Sequence, residues 1–190
     1  YKLVNGGFHF ANYYSSNNLS TIGGEFQSLT GLYADSSILP TWRSGKNSFP
    51  YGLSNMFEKA GYNTYAYHNH YYTFQDRNKY LKSLGFDNFL GCNNGLEKRM
   101  NCKSWPESDI EMIDVTVADY IDSEKPFLAY YMTVSGHFAY NFTGNKMSRK
   151  NKDLVKDLPY SDPVKAYLAT QIELDRALAV SYTHLTLPTT

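Results

Sequence analysis

The sequence is poor in several features that would narrow its role at once. It has two cysteines in 190 residues, Cys92 and Cys102. Neither belongs to a Cys-x-x-Cys spacing and no paired histidines accompany them, so a zinc module is excluded. Charge of neither sign dominates: 18 Lys and Arg stand against 18 Asp and Glu, the net charge is zero and the pI is about 7.1. A nucleic-acid binder, or a protein of anionic membrane surfaces, would carry a basic excess or stripe, and none is present. No apolar run approaches the roughly 18 residues that cross a bilayer. The chain begins at Tyr1 without an initiator methionine or signal peptide, so its start reads as internal.

What is present is a globular chain with enough apolar residues, 42%, to build a core of one domain. Aromatic residues reach 16%, mostly as 18 Tyr and 11 Phe, which fits a surface protein and equally an AT-rich coding bias. Cys92 and Cys102 lie ten positions apart and admit two readings: a disulfide closing a small loop in an oxidising compartment, or two unrelated thiols. Residues 180–190, Val-Ser-Tyr-Thr-His-Leu-Thr-Leu-Pro-Thr-Thr, follow a helical pattern abruptly. They resemble the translation of a common transposase sequencing adapter. The expectation is therefore one domain over 1–179, cut near Ala179, and an adapter read-through over 180–190, with no chemistry at His184.

The aromatic residues of 8–14 alternate and predict a strand. A helix is expected over 21–33 with Phe26, Leu29 and Leu32 on one face, followed by a loop over 34–49. A second helix is expected over 52–59 with Leu53, Met56 and Phe57 inward and Gly61 as its stop. A strand over 62–68 and a short helix over 77–84 follow. Ser108-Asp109-Ile110-Glu111 fits a capping box and opens a helix presenting Ile110, Ile113, Val117 and Ile121. The near-continuous apolar run of 126–133 reads as a buried parallel strand. Asp162-Pro163 opens a last helix, with Val164, Tyr167, Leu168, Ile172 and Leu178 inward. Alternating strands and helices predict an α/β fold with a mostly parallel sheet flanked by helices.

In such sheets, functional groups gather beyond the carboxyl ends of the strands. Three places meet that condition. Ser20 and Thr21 set two hydroxyls at a helix N-terminus, as a plain cap or as an activated nucleophile facing an anion. His68 and His70 face the same way on a strand, as a metal pair, a phosphate-binding pair or surface histidines. Arg77 follows, either as a bidentate anion clamp or as a surface ion-pair partner. His137 ends the buried strand after Ser135 and Gly136. No Gly-x-Ser-x-Gly accompanies it, so a serine hydrolase elbow is excluded.

Taken in order, these segments resemble the extracellular catalytic domain of the lipoteichoic acid synthase family, phosphoglycerol transferases of the alkaline phosphatase and sulfatase superfamily. The anchors are Gly7-Phe8-His9-Phe10-Ala11-Asn12-Tyr13-Tyr14, Thr21 with Glu25-Phe26, Gly61-Tyr62 through His68, Phe74 to Arg77, Gly85-Phe86-Asp87, the segment from Pro126 to Phe138, and Tyr167-Leu168-Ala169 to Leu174-Asp175-Arg176-Ala177-Leu178. The resemblance implies an alkaline phosphatase-like fold and makes Thr21 both the nucleophile and a metal ligand. It makes His68, Arg77 and His137 substrate-binding residues, with His70 beside them. Where the better-known synthases have Asp this chain has His70, and where they have Trp it has Gln75, two departures that bear on the acceptor or head group.

The resemblance further implies a divalent metal, manganese, whose other ligands fall upstream of residue 1 and downstream of residue 179, so that this stretch alone is expected to be inactive. Phosphatidylglycerol is the implied donor and a polyglycerolphosphate chain or glycolipid the acceptor, with a covalent phosphoglycerol-threonine between them. The implied setting is the cell membrane, through an N-terminal transmembrane region outside this sequence, with the catalytic domain extracellular. Two alternatives remain: a phosphoethanolamine transferase of the same superfamily, or a non-catalytic, Tyr-rich surface binding module. A sulfatase proper is disfavoured by the lack of a Cys/Ser-x-Pro-x-Arg motif.

Overall fold

The computed structural model describes residues 5–6, 10–12, 14 and 19–186. Its centre is a three-stranded parallel sheet: β1, Asn63–Tyr71, lies between β2, Asn88–Cys92, and β3, Phe127–Met132. The parallel α/β class expected from the sequence is therefore the one observed. Side chains alternate across a strand, and β1 divides the core by that rule. Ala66 points into a cluster with Ile22, Phe26, Leu29, Trp42, Tyr80, Leu81 and Leu84, joined by Leu128 and Tyr130 of β3. Tyr67 points the other way, into Leu96, Met112, Val117 and Tyr120, joined by Phe127, Ala129 and Tyr131. β3 is half-buried along its whole length rather than buried, because among the described residues no strand pairs with its outer edge.

The first face is covered by α1 (Ser20–Thr30), α2 (Leu39–Arg43), α3 (Leu53–Lys59) and α4 (Arg77–Ser83). α1 ends where Gly31 takes a left-handed φ of 72° and donates to Gln27 O. The helix thus stops short of Leu32, which is exposed and not part of the inward face. α2 falls within the segment expected to be a loop; five residues are too few to show a period, and it is anchored by Trp42, whose ring packs on Phe26 and Tyr80. In α3 the inward residue is Ser54, which donates to Leu84 O at 3.0 Å, while Leu53 and Met56 are exposed. In the strand expected over 8–14, residues 8, 9 and 13 lie outside the described residues. Ala11 and Asn12 form a turn and Phe10 and Tyr14 are exposed; aromatic content makes a strand only where a neighbour offers pairing and packing.

The second face carries α5, Asp109–Thr116, which packs against a last helix, α7, Asp162–Thr186, together with the short α6, Lys146–Lys150. Ser108 caps α5 by accepting from Glu111 N at 3.1 Å, but the Glu111 carboxylate turns to Asn101 N instead of completing the box. α7 starts at Asp162-Pro163 as expected, yet it buries Ala166, Ala169, Thr170, Glu173 and Ala177. Val164, Tyr167 and Leu178 stay exposed. Small side chains let α7 approach its neighbours closely, and Glu173 accepts from Ser108 Oγ and from Lys150 Nζ. The helix continues through Thr186, with Leu185 exposed.

One buried ion pair ties α1 to the rest. Arg77, at the start of α4, donates Nε to Glu25 Oε1 at 3.1 Å and Nη2 to Glu25 Oε2 at 2.7 Å. The remaining lone pairs of Glu25 accept from Tyr80 Oη at 2.8 Å and Tyr130 Oη at 3.2 Å. Both side chains are 2% exposed, so removing one partner strands a buried charge. Glu25→Gln is expected to cost about 3–5 kcal/mol in urea denaturation, and a loss under about 1 kcal/mol would contradict that role.

Cys92 and Cys102 are bonded, with Cα atoms 5.9 Å apart. The bridge joins the end of β2 to the segment that leads into α5. Reduction, or the Cys92→Ala/Cys102→Ala variant, should lower stability by about 2–3 kcal/mol; an unchanged thermal midpoint on reduction would show that the bridge does not constrain the chain.

Candidate functional site

The carboxyl end of β1 carries the chemistry. Register holds through His68, which pairs with Met132 on one side and Gly91 on the other, and is then shifted before Tyr71 pairs with Cys92. Such an irregularity bends a strand and re-aims its side chains. Gly91 permits the resulting close approach, since a Cβ there would sit 2.9 Å from Tyr72 Cα.

His68 points to the α1 side. Its Nδ1 lies 2.8 Å from Met132 O and its Nε2 lies 3.4 Å from Arg77 Nη1. A carbonyl can only accept, so Nδ1 bears the proton and Nε2 accepts from the guanidinium. Burial, then the charge of Arg77, push the His68 pKa down to about 3. His68 is thus a neutral, doubly committed imidazole. Arg77 has also spent its donors: besides Glu25 and His68, Nη1 donates to Phe74 O at 3.3 Å and Nη2 to Gln75 Oε1 at 3.2 Å. Read from the sequence as an anion clamp or a surface ion-pair partner, Arg77 is instead almost fully buried. Its place beside Glu25 makes it a positioning residue for His68 and α1.

Asn69 points to the opposite side, as alternation requires. Its Nδ2 donates to Asp109 Oδ1 at 2.8 Å and Glu107 O at 3.4 Å. Asp109 is fully buried and also accepts from Val134 N at 3.0 Å, Ser135 N at 3.2 Å and Ser135 Oγ. Burial raises its pKa, against the pull of these donors. One carboxylate at the N-terminus of α5 therefore holds together the ends of β1 and β3, and with them the turn that presents His137.

His70 and His137 are brought to one place by Trp105. The Trp105 ring lies 5.2 Å from His70 and 6.1 Å from His137, centroid to centroid. His70 is half-buried and also packs against Phe74 at 4.7 Å; burial, then the charges of Arg77 and His137, lower its pKa. His137 is exposed. His68 and His70 do face the same way, with rings 5.9 Å apart. Thr21 lies in the first turn of α1 and is exposed, one helical turn before Glu25 and on the same face. No described contact joins its side chain to the histidines.

Backbone strain clusters at these positions. Ser20 before Thr21, Asp76 before Arg77, and Phe138 after His137 have φ values of 60°, 61° and 60°. Left-handed non-glycine residues cost on the order of 1–3 kcal/mol each and gather where geometry matters more than stability. Trp105, Asp109 and the locking role of Glu25 were not expected from the sequence. Their partners are remote along the chain, and only the Trp105-Pro106 pair near Cys102 marked the segment.

Among the described residues no group of three or more His, Cys, Asp and Glu side chains could hold a metal ion. The Thr21 hydroxyl alone does not make a metal site, so these residues do not fit a resident ion without further ligands. A cleft of about 680 Å³ beside β2, lined by Glu58, Lys82 and Asp87, contains none of Thr21, His68, His70, Arg77 and His137.

Comparison with known proteins bears on the family and the fold. The sulfatase family model matches residues 1–180. Lipoteichoic acid synthase 1 of Bacillus subtilis is 23% identical over 134 residues, covering 70% of this chain and 20% of that protein. The structure of the lipoteichoic acid synthase LtaP from Listeria monocytogenes superposes with a TM-score of 0.67 at 17% identity, over 87% of this chain and 41% of that one. The C-terminal periplasmic domain of EcEptC from Escherichia coli, in complex with Zn, gives 0.57 at 17% identity, over 86% and 44%. This chain thus spans about a fifth of the Bacillus protein and two-fifths of the Listeria structure. The fold is alkaline phosphatase-like, as in a Vibrio parahaemolyticus protein of that superfamily (TM-score 0.60, 17% identity, over 85% of this chain and 38% of that one), and the chain belongs to the sulfatase family.

Proposed function

We propose that this chain is part of the catalytic domain of a phosphoglycerol transferase that carries its phosphoglycerol on Thr21. The observation that supports this best is the position of Thr21: in the first turn of α1, after a strained Ser20, and one turn from a Glu25 locked through Arg77 to His68. In the proposed cycle Thr21 Oγ1 attacks the phosphorus of phosphatidylglycerol. A new P–O bond forms, and diacylglycerol leaves with the proton. A hydroxyl of a polyglycerolphosphate or glycolipid acceptor then displaces Thr21. His137 and His70 offer imidazole nitrogens to phosphoryl oxygens or the entering hydroxyl, while His68 and Arg77 keep the strand end and α1 in register.

Manganese, the divalent ion implied by the family resemblance, needs ligands beyond the described ones, and no step is assigned to it. The extracellular, membrane-attached setting fits the Cys92–Cys102 bridge, which persists in oxidising compartments. No described helix is long and apolar enough to cross a membrane. The likeness to EcEptC favours a second reading, phosphoethanolamine transfer, and the departures at His70 and Gln75 bear on that choice.

In the full-length enzyme, Thr21→Ala should abolish diacylglycerol release from phosphatidylglycerol vesicles and leave thermal stability unchanged, because the hydroxyl is exposed and has no substitute. Full activity in that variant would remove the covalent mechanism. His137→Ala should lower turnover roughly 10²-fold or more. Release from phosphatidylethanolamine vesicles alone would select the second reading.

A further inference from the structure

The Cys92–Cys102 bridge lies in the wall of a cleft of about 320 Å³ that His70, Lys103 and Trp105 also line. Cys92 pairs with Tyr71, and its O accepts from Tyr72 N at 2.8 Å, so it is fixed to the two residues that follow His70. Cys102 stands three positions before Trp105, in a stretch without helix or strand. The bridge is therefore a covalent tie between the neighbours of His70 and the segment that lays the Trp105 ring 5.2 Å from it. The hydrogen bonds of that segment run elsewhere. Asn101 Nδ2 donates to Ser104 Oγ at 2.6 Å, Lys103 N to Asn101 Oδ1 at 3.1 Å and Ser104 N to Glu107 Oε1 at 2.5 Å, all within residues 101–107. From outside, Glu111 Oε1 accepts from Asn101 N, and Lys146 of α6 donates Nζ to Ser104 Oγ at 2.9 Å and N to Trp105 O at 3.1 Å. The residue before it, Asn145, donates Nδ2 to Phe138 O at 3.1 Å, next to His137. These bonds tie Trp105 to the His137 side, and the bridge ties it to the His70 side. Asn69 Nδ2 holds Glu107 O at 3.4 Å, which sets where a released stretch would end. Cys102 is half-buried and Cys92 is 2% exposed, so the bridge is approached at Cys102 Sγ.

We propose that this bridge is a redox switch: oxidised, it seats Trp105 against His70; reduced, it lets residues 101–105 part from β1 with the His137 side, and His70 loses that wall. The chemistry is thiol–disulfide exchange with a dithiol. One thiolate of the dithiol attacks Cys102 Sγ, the Sγ–Sγ bond breaks, and Cys92 leaves as a thiolate that takes up a proton. The second thiolate then displaces Cys102, so the dithiol ends as a disulfide and both cysteines as thiols. Lys103, next to Cys102, favours the thiolates of this exchange by its charge. An oxidising compartment closes the bridge again, so the surroundings of His70 are complete only where disulfides persist. The link to turnover rests on the transferase reading, in which His70 meets the phosphoryl group; the movement of Trp105 does not.

The test is mass spectrometry of the full-length enzyme, bonded and after dithiothreitol, with alkylation showing Cys92 and Cys102 as free thiols. Amide exchange should quicken over residues 101–105 and stay unchanged over residues 64–68 and 109–116. Carbethoxylation of His70 should rise several-fold, that of His137 should hold, and reoxidation should restore the bonded pattern. Cys92→Ser/Cys102→Ser should behave as the reduced enzyme and ignore dithiothreitol; if it fails to fold, the reduced wild type decides. Unchanged labelling of His70 in fully reduced enzyme would overturn the proposal. So would a bridge that opens only on unfolding, protection lost throughout β1 and α5, or His137 labelled faster along with His70. Diacylglycerol release from phosphatidylglycerol vesicles should fall about tenfold or more on reduction, in step with the labelling of His70. If His70 is freed and release does not change, the switch stands and the role of His70 in transfer fails.

Discussion

The Glu25–Arg77 ion pair is the constraint on which the arrangement depends. It is dry, bidentate and saturated by two tyrosine hydroxyls, one from α4 and one from β3. Burial, the largest single influence, works against the guanidinium charge, but Glu25 together with Tyr80 and Tyr130 outweighs it, so the Arg77 pKa rises. A pair of this kind contributes little net stability against an apolar replacement, but it fixes geometry because any displacement leaves a charge unpaired. What it fixes is α1, and with α1 the face that carries Thr21. The same guanidinium reaches His68, so helix and strand end are set by one group.

β1 distributes its residues to two networks by simple alternation. His68 goes to Arg77 and Glu25; Asn69 goes to Asp109 and, through it, to Val134 and Ser135. The irregular register after His68 then places His70 beside Trp105. Two buried carboxylates, Glu25 on one face and Asp109 on the other, thus hold the strand ends from both sides. The exposed histidine, His137, stands on a turn that Asp109 anchors.

Much of the fold was legible in the sequence because its elements announce themselves locally. Proline after Asp162, the Ser108 cap, glycines at helix ends and the apolar run of β3 all act within a few residues. What was not legible acts at a distance. Glu25 finds its partners 52, 55 and 105 positions away. The inward face of α7 is made of alanines with Thr170 and Glu173, so a hydrophobic pattern that rewards large side chains selects the wrong face. Arg77 reads as a surface residue by type, and only the proximity of Glu25, His68 and Gln75 makes its burial tolerable. The positions Thr21, His68, His70, Arg77 and His137 were picked out by their place around the strand ends, and their roles came from the family resemblance. Spacing alone left structural alternatives open, and the structure shows His68 and Arg77 buried and hydrogen-bonded to one another.

If the proposed transfer is correct, Thr21, His70 and His137 meet at one phosphoryl position. The most direct measurement is a crystal structure of the complete catalytic domain bound to glycerol phosphate. The account predicts the phosphorus within bonding or van der Waals reach of Thr21 Oγ1, an imidazole of His70 or His137 on a phosphoryl oxygen, and Arg77 still paired with Glu25. A phosphate bound by Arg77 with Glu25 released, or one seated away from Thr21, would contradict it.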